Sequence, residues 1–160
     1  MSEVIYRDPR PGDYGWLIHR QSVLYAQEYG WNNDYEALVC AIVGQIHAKF
    51  DPARERCWIA EQNGVGVGSV FLVAGEGTAA KLRLLYVDPV CRGQGVGRRL
   101  VRECIDFARK CGYTKITLWT QSNLAAARGI YNSEGFQLVK SEPHCSFGKD
   151  LIGEIWELTL

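Results

Sequence analysis

Lys81-Leu82-Arg83-Leu84-Leu85-Tyr86-Val87-Asp88-Pro89 runs directly into Val90-Cys91-Arg92-Gly93-Gln94-Gly95-Val96-Gly97-Arg98-Arg99-Leu100-Val101. The first part reads as an apolar strand stopped by a proline. The second is a loop with glycine at every second position, and the third opens a basic amphipathic helix. Glycine at 93, 95 and 97 removes side chains that would hold a ligand off the backbone, so several N–H groups can converge on one anion at the positive end of the helix dipole. The stretch is expected to cradle a pyrophosphate.

Spacing narrows the kind of loop. A nucleoside triphosphatase loop needs Gly-Lys-Ser/Thr, for a charge on the phosphates and a hydroxyl on magnesium, but Gly97 is followed by Arg98-Arg99. The dinucleotide fingerprint opens a parallel unit with G-x-G-x-x-G and sets an acid about 20 residues on. Here the loop is G-x-G-x-G in mid-chain, and a helix runs on to Lys110-Cys111-Gly112.

The segment resembles motif A of the GNAT acyltransferases, Arg/Gln-x-x-Gly-x-Gly/Ala, on Arg92, Gly95 and Gly97 after a strand ending Val87-Asp88-Pro89. Members of that family close with a helix ending Tyr-x-x-x-Gly-Phe, and this chain carries Tyr131-Asn132-Ser133-Glu134-Gly135-Phe136. A closer likeness is to the acetyltransferase half of bacterial proteins that fuse a MarR-type winged helix to a GNAT domain. It rests on Tyr25 to Trp31, Arg54 to Ala60 and Ser146 to Leu151. The resemblance covers nearly the whole chain. It implies an α/β GNAT fold: a mixed, mostly antiparallel seven-stranded sheet with helices on both faces, and strands 4 and 5 splayed around acyl-CoA.

Hydropathy patterning agrees with that order. Strand candidates are Val4–Arg7, Cys57–Glu61, Val65–Ala74, Ala80–Val87, Thr114–Thr120, Phe136–Ser141 and Ile152–Leu160. Helix candidates are a segment capped by Asp13 and ended by Gly30, then Tyr35–Phe50, Gly95–Lys110 and Leu124–Ser133. Asn63-Gly64 is a hairpin signal, so the glycines of Val65-Gly66-Val67-Gly68 are read as strand and not as a second phosphate loop.

Composition bounds the function. With 160 residues and 47% hydrophobic content, residues 1–160 are expected to form one domain burying roughly two thirds of its unfolded surface. Eighteen basic residues balance eighteen acidic ones, and no run of like charge exceeds Arg98-Arg99, so no nucleic-acid partner is expected. The first strand candidate starts near Glu3, so no winged helix is expected before it. The six cysteines fall singly, without C-x-x-C pairs or a signal peptide, and suggest reduced thiols in the cytoplasm. No metal site is expected, nor a membrane span, since no apolar run nears ~20 residues. Cys91 is read as a small loop filler in preference to a nucleophile.

By resemblance the donor is acetyl-CoA. Its pantetheine would pair with Leu85, Tyr86 and Val87. Its pyrophosphate would meet donors among Arg92, Gly93, Gln94, Gly95, Val96, Gly97 and Arg98. The N–H near Leu85 would polarise the thioester carbonyl. Tyr131 would protonate the departing thiolate, because a phenol near pKa 10 is a poised donor to a thiol near 8.5. Where many members carry an asparagine seven residues before the tyrosine, this chain has Leu124, with Asn123 beside it. Where some place a glutamate base on the fourth strand, this strand offers Lys81 and Arg83. The acceptor, a small-molecule amine or amino acid, is expected near Glu28, Tyr29 and Trp31, with Glu28 attracting or deprotonating it. A non-catalytic acyl-CoA sensor and a protein-lysine acetyltransferase are the alternatives, and a homodimer is left open.

Overall fold

The computed structural model describes residues 2–160. The chain runs β1 (Val4–Arg7), α1 (Asp13–Tyr29), α2 (Asn33–Ala48), β2 (Arg56–Gln62), β3 (Val65–Ala74) and β4 (Ala79–Val87). It continues with α3 (Val96–Lys110), β5 (Lys115–Gln121), α4 (Ala125–Ser133), β6 (Gln137–Ser146) and β7 (Lys149–Thr159), with a 3-10 turn at Pro89–Cys91. The strands form a seven-stranded sheet of order β1-β2-β3-β4-β5-β7-β6. All neighbours are antiparallel except β4 and β5. The expected element order and mixed sheet are therefore present.

Each face carries its own core. Leu100, Val101, Cys104, Ile105 and Ala108 form the buried stripe of α3 and pack on one face with Val70, Leu72, Leu82 and Ile116. On the other face, Leu17 of α1 and Val39 and Val43 of α2 cover Ile59 and Phe71. A third cluster joins Trp31 to Phe147 and Leu151, tying the end of α1 to the β6–β7 hairpin.

Three local readings change. Gly12, at φ 98°, occupies the α1 cap with no side-chain bond. The Asp13 carboxylate instead accepts from the Arg10 backbone N–H at 2.6 Å and pairs with Arg7 at 2.7 Å, tying the loop to β1. Helix α2 starts before Tyr35 because the Asn32 side chain accepts from the Asp34 N–H at 3.0 Å. Strands β6 and β7 extend to a two-residue turn, Phe147-Gly148, with φ of 58° and 78°. Phe147 is an unusual residue there. Its ring lies 4.9 Å from that of Trp31, and its carbonyl accepts from the Asn32 N–H, so tertiary packing fixes the turn.

Two irregularities shape the sheet centre. Parallel pairing of β4 with β5 covers Ala79–Lys81 against Lys115–Thr117 and then stops, while β5 stays paired with β7 to Gln121. A gap therefore opens towards the end of β4. Within β4, Arg83 faces Phe71 but Tyr86 faces Ser69, so one extra residue is inserted, with Leu84 at φ 56°. That bulge resets the alternation.

Candidate active site

The gap between β4 and β5 is bordered by two cavities. One, of about 400 Å³, lies under α1 and α2. Its walls include Tyr25, Trp31 and Tyr35 from the helices, Lys81 to Leu85 from β4, Thr117 to Gln121 from β5, and Tyr131 and Phe147. The other, of about 490 Å³, lies at the glycine loop, bounded by Glu28, Tyr29, Val87, Arg92, Gly93, Gly95 to Arg98, and Ile130. Tyr25, Leu85, Leu124 and Ala127 line both. The bulged residue Leu85 thus stands where the loop cavity meets the chamber.

The loop amides divide into two groups. Those of Arg92 and Gln94 donate to Pro89 and Cys91 carbonyls and hold the turn. Those of Gly93, Gly95, Val96, Gly97 and Arg98 have no backbone acceptor among the described residues, and the last three open α3. Amides left open in this way at the start of a helix are of the kind that can receive an anion. The glycines serve different ends. Gly95 sits at φ 78°, and a Cβ there would meet nothing within 4 Å. At Gly97 a Cβ would lie 2.7 Å from Ile130 Cδ1 and 3.2 Å from Val87 Cγ2, so this glycine lets α3 approach α4 and β4.

Residues 15–136 match the family described as acetyltransferase (GNAT) family. The chain belongs to the GNAT acetyltransferase family. It is 30% identical over 125 residues to N-acetyltransferase 8 of Homo sapiens, covering 74% of this chain and 55% of that protein. It is 30% identical over 101 residues to the mycothiol acetyltransferase of Beutenbergia cavernae, covering 62% of this chain and 33% of that one. The chain therefore spans about half or less of the length of these two relatives. Among solved structures, yncA from Salmonella typhimurium with its cofactor acetyl-CoA superposes with a TM-score of 0.73 at 24% identity, over 98% of this chain and 94% of that one.

The remaining site residues of this GNAT chain can be placed individually. Tyr131 is 4% exposed, its ring 5.7 Å from Phe136 and 6.3 Å from Trp156, and it lines the chamber under α1 and α2. Burial pushes its phenol well above the usual value, so it stays protonated across the neutral range. Tyr86 turns its side chain away from both cavities. Its hydroxyl reaches Asp88 at 3.2 Å, Arg20 closes on the same carboxylate, and burial pushes the phenol up to about 12. Its part at a ligand would be limited to backbone. Asn123 is exposed, and neither cavity includes it or Gln94.

The expected acceptor trio is split. Trp31 lines the chamber, whereas Glu28 and Tyr29 line the loop cavity. Glu28 accepts from the Arg92 guanidinium at 2.7 Å, a pair that spans α1 and the loop. No Asp or Glu lines the chamber. Gln21, Tyr25, Tyr35, Trp119 and Phe147 do; Tyr25 and Tyr35 are among the aromatics of the first helices, where the resemblance sets the acceptor wall, whereas Gln21, Trp119 and Phe147 carried no expectation. For Gln21 the available signal was its helical spacing from Tyr25. For Phe147 there was none, because the hairpin that delivers it was not foreseen. Gln121 is held from outside by His144, whose Nε2 lies 2.8 Å from its Oε1, while His144 Nδ1 meets Ser146 Oγ at 2.9 Å.

No cluster of three or more His, Cys, Asp or Glu is arranged to hold a metal among the described residues. Among the described residues no helix is long and apolar enough to cross a membrane. The six cysteines are free, and Cys91 is buried beside the loop, where burial pushes its thiol up and away from thiolate character.

Proposed function

We propose that the protein is an acetyl-CoA-dependent N-acetyltransferase that moves an acetyl group to a primary amine of a small molecule or amino acid. The observation that carries this is the meeting of an anion cradle and a separate aromatic chamber at Leu85, where β4 leaves β5. The loop amides from Gly93 to Arg98 would bind the pyrophosphate, and the open edge of Leu85 to Val87 would pair with the pantetheine. The chamber would hold the acceptor.

In the reaction the neutral amine attacks the thioester carbon, and the carbonyl π pair moves onto oxygen, stabilised by a backbone N–H near Leu85. Collapse re-forms the carbonyl and breaks the C–S bond. The nitrogen loses its extra proton to water, and the sulfur gains one. Tyr131, neutral in its buried setting, is the proposed donor to that sulfur. Direct transfer is favoured over an acyl-enzyme, because the cysteine nearest the loop, Cys91, is buried and its thiol is held protonated.

The likeness to the GNAT half of MarR fusions is a finer reading. Two of its segments come together in the cluster of Trp31, Phe147 and Leu151, which packs against Tyr25 and Tyr29. A cytoplasmic setting is proposed on the strength of the six unpaired thiols. Thiol release from acetyl-CoA with a panel of amines, with mass detection of the acetylated product, tests the activity. Tight acetyl-CoA binding with no thiol release for any amine would leave a sensor and reject the enzyme.

A further inference from the structure

We infer that the chamber is built for an amine that carries a carboxylate, an α-amino acid or close analogue with an apolar side chain, and that Arg83 holds that carboxylate. The inference rests on reading this chamber as the acceptor side and names the substrate class for it.

Arg83 lines the chamber, is half-buried, and makes no ion pair within 4.0 Å among the described residues. By contrast Arg7, Arg20, Arg92 and Arg128 each close on a carboxylate at 2.7 to 3.1 Å. Burial pushes the Arg83 guanidinium below its usual value with no neighbouring carboxylate to offset the effect. It remains charged at neutral pH all the same. A partly desolvated, uncompensated cation is costly to keep. A bidentate carboxylate is the partner that its planar fork fits best.

The rest of the chamber has the same bias. Lys81 adds a second cation, and no Asp or Glu lines the walls. Gln21 is 1% exposed; its Oε1 accepts from the Tyr35 hydroxyl at 3.2 Å, and its Nε2 has no acceptor. Trp31 Nε1 is likewise buried without one. Both residues line the chamber, which is thus bordered by two buried N–H donors without a protein acceptor. An ammonium group finds no counter-charge here, whereas a neutral amine with an anionic tail does. Tyr25, Trp31, Tyr35 and Phe147 supply the apolar surface for a side chain. Arg83 and Leu85 flank the bulged residue Leu84, and both line the chamber. That suits an acceptor whose carboxylate and amine are a few bonds apart.

The test uses the full chain and a panel of glycine, leucine, methionine and phenylalanine, each beside its amide and its decarboxylated amine. Two readouts are taken. One is kcat/KM with saturating acetyl-CoA. The other is calorimetric binding of the N-acetylated products in the presence of CoA, which needs no turnover. The wild type should favour at least one carboxylated series by about 30-fold or more, the size of a charge-assisted contact. Arg83→Met should erase that preference by weakening the carboxylated members alone, and Arg83→Lys should keep part of it; unchanged CoA affinity certifies the fold. If Arg83→Met does not fold, the wild-type preference and the lysine variant decide.

Absence of preference in both readouts, or equal loss for charged and uncharged acceptors, overturns the inference. Acetylation of amines without regard to the carboxylate overturns it while leaving the enzymatic reading intact. Arg83-dependent product binding without turnover would do the reverse.

Discussion

Gly95 offers the sharpest separation of ligand chemistry from folding. It caps α3 in the left-handed region at φ 78°, and a Cβ built on it meets nothing within 4 Å. Gly95→Ala therefore adds strain but no clash. The left-handed conformation costs about 1–2 kcal/mol for an L-residue, and reduced freedom of the unfolded chain returns part of this. A net loss near 1 kcal/mol should lower Tm by roughly 3 °C for a chain of this size. Gly95→Asp carries a similar conformational cost, because Asp visits this region more readily than most residues. It also sets a carboxylate among the amides of Gly93, Val96, Gly97 and Arg98. Against each diphosphate charge about 5 Å away, at an effective dielectric of about 20, repulsion is roughly 3 kcal/mol. Acetyl-CoA affinity should then fall by about 100-fold or more, while Gly95→Ala stays within a few-fold of wild type. Calorimetry of both variants, beside thermal melts, makes the comparison. Wild-type affinity in a folded Gly95→Asp protein would mean that the pyrophosphate lies elsewhere and that the loop cavity is not the donor side.

Tyr131→Phe keeps the packed ring and deletes the proposed proton donor; kcat should fall by about 10- to 1,000-fold, on the order of 1–4 kcal/mol, with acetyl-CoA affinity little changed in calorimetry, and an unaltered kcat would assign the proton to solvent. Glu28→Gln removes an ion pair with Arg92 that is largely solvent-exposed, so stability should change by less than about 1 kcal/mol in urea melts. Acceptor KM should stay the same in steady-state kinetics, and any kinetic effect should be on acetyl-CoA; a selective rise in acceptor KM would return Glu28 to the acceptor site. Gly97→Ala should destabilise the fold through its 2.7 Å approach to Ile130, and Ile130→Val should recover part of the loss in a double-mutant melt series, a recovery that a purely ligand-facing Gly97 would not show. Tyr25, Tyr35 and Tyr131 all have folded-state pKa values raised by burial above the ordinary 10.0. Their neutral forms are favoured in the fold, so this contribution is fully present below pH 10 and is lost as pH climbs from there towards the raised values; urea midpoints should fall between pH 9 and 11, with tyrosinate absorbance rising in step with unfolding and not before it.

The glycine turn into α3 and the sheet were legible because each rests on a local rule. Alternating glycines before a basic amphipathic helix predict an anion cradle whatever the surroundings, and Asn63-Gly64 fixes a hairpin by its own turn geometry, with both residues at positive φ. The chamber under α1 and α2 was legible only in part, through its helix aromatics. Glu28, Tyr29 and Trp31 are near neighbours in sequence, yet helix α1 ends between them, at Gly30 in the left-handed conformation. The chain there turns Trp31 into the core, while Glu28 stays on the helix face towards Arg92. Phe147 reaches the same cluster from more than a hundred residues away through a turn that its own propensity disfavours, since it is held by contacts no local window contains. Arg83 was visible in the sequence as the missing base. Its lack of a partner is a property of the assembled chamber and could not be read from the strand.

The bulge in β4 links these observations to one physical cause. Without the inserted residue, strict alternation would carry Lys81, Arg83, Leu85 and Val87 to the α1–α2 face and put Leu82, Leu84 and Tyr86 beneath α3. With it, Leu84 and Tyr86 pack on the α1–α2 side against the Phe71 cluster and Trp16, while Leu85 and Val87 join the α3 side. Lys81 and Arg83, which precede the insertion, line the chamber in either register, but only the insertion sends Val87 to the loop cavity and makes Leu85 the β4 residue common to both. The strained left-handed Leu84 costs on the order of 1–3 kcal/mol and persists because cores on both faces of the sheet fix its neighbours. The insertion lies on the edge of β4 that pairs with β3, while on the opposite edge β5 pairs only as far as Lys81 and leaves the end of β4 without a neighbouring strand on that side. A strand edge left open in this way is completed by a ligand or by water, and the proposed pantetheine would pair with it beside Leu85, one of the residues that line both cavities.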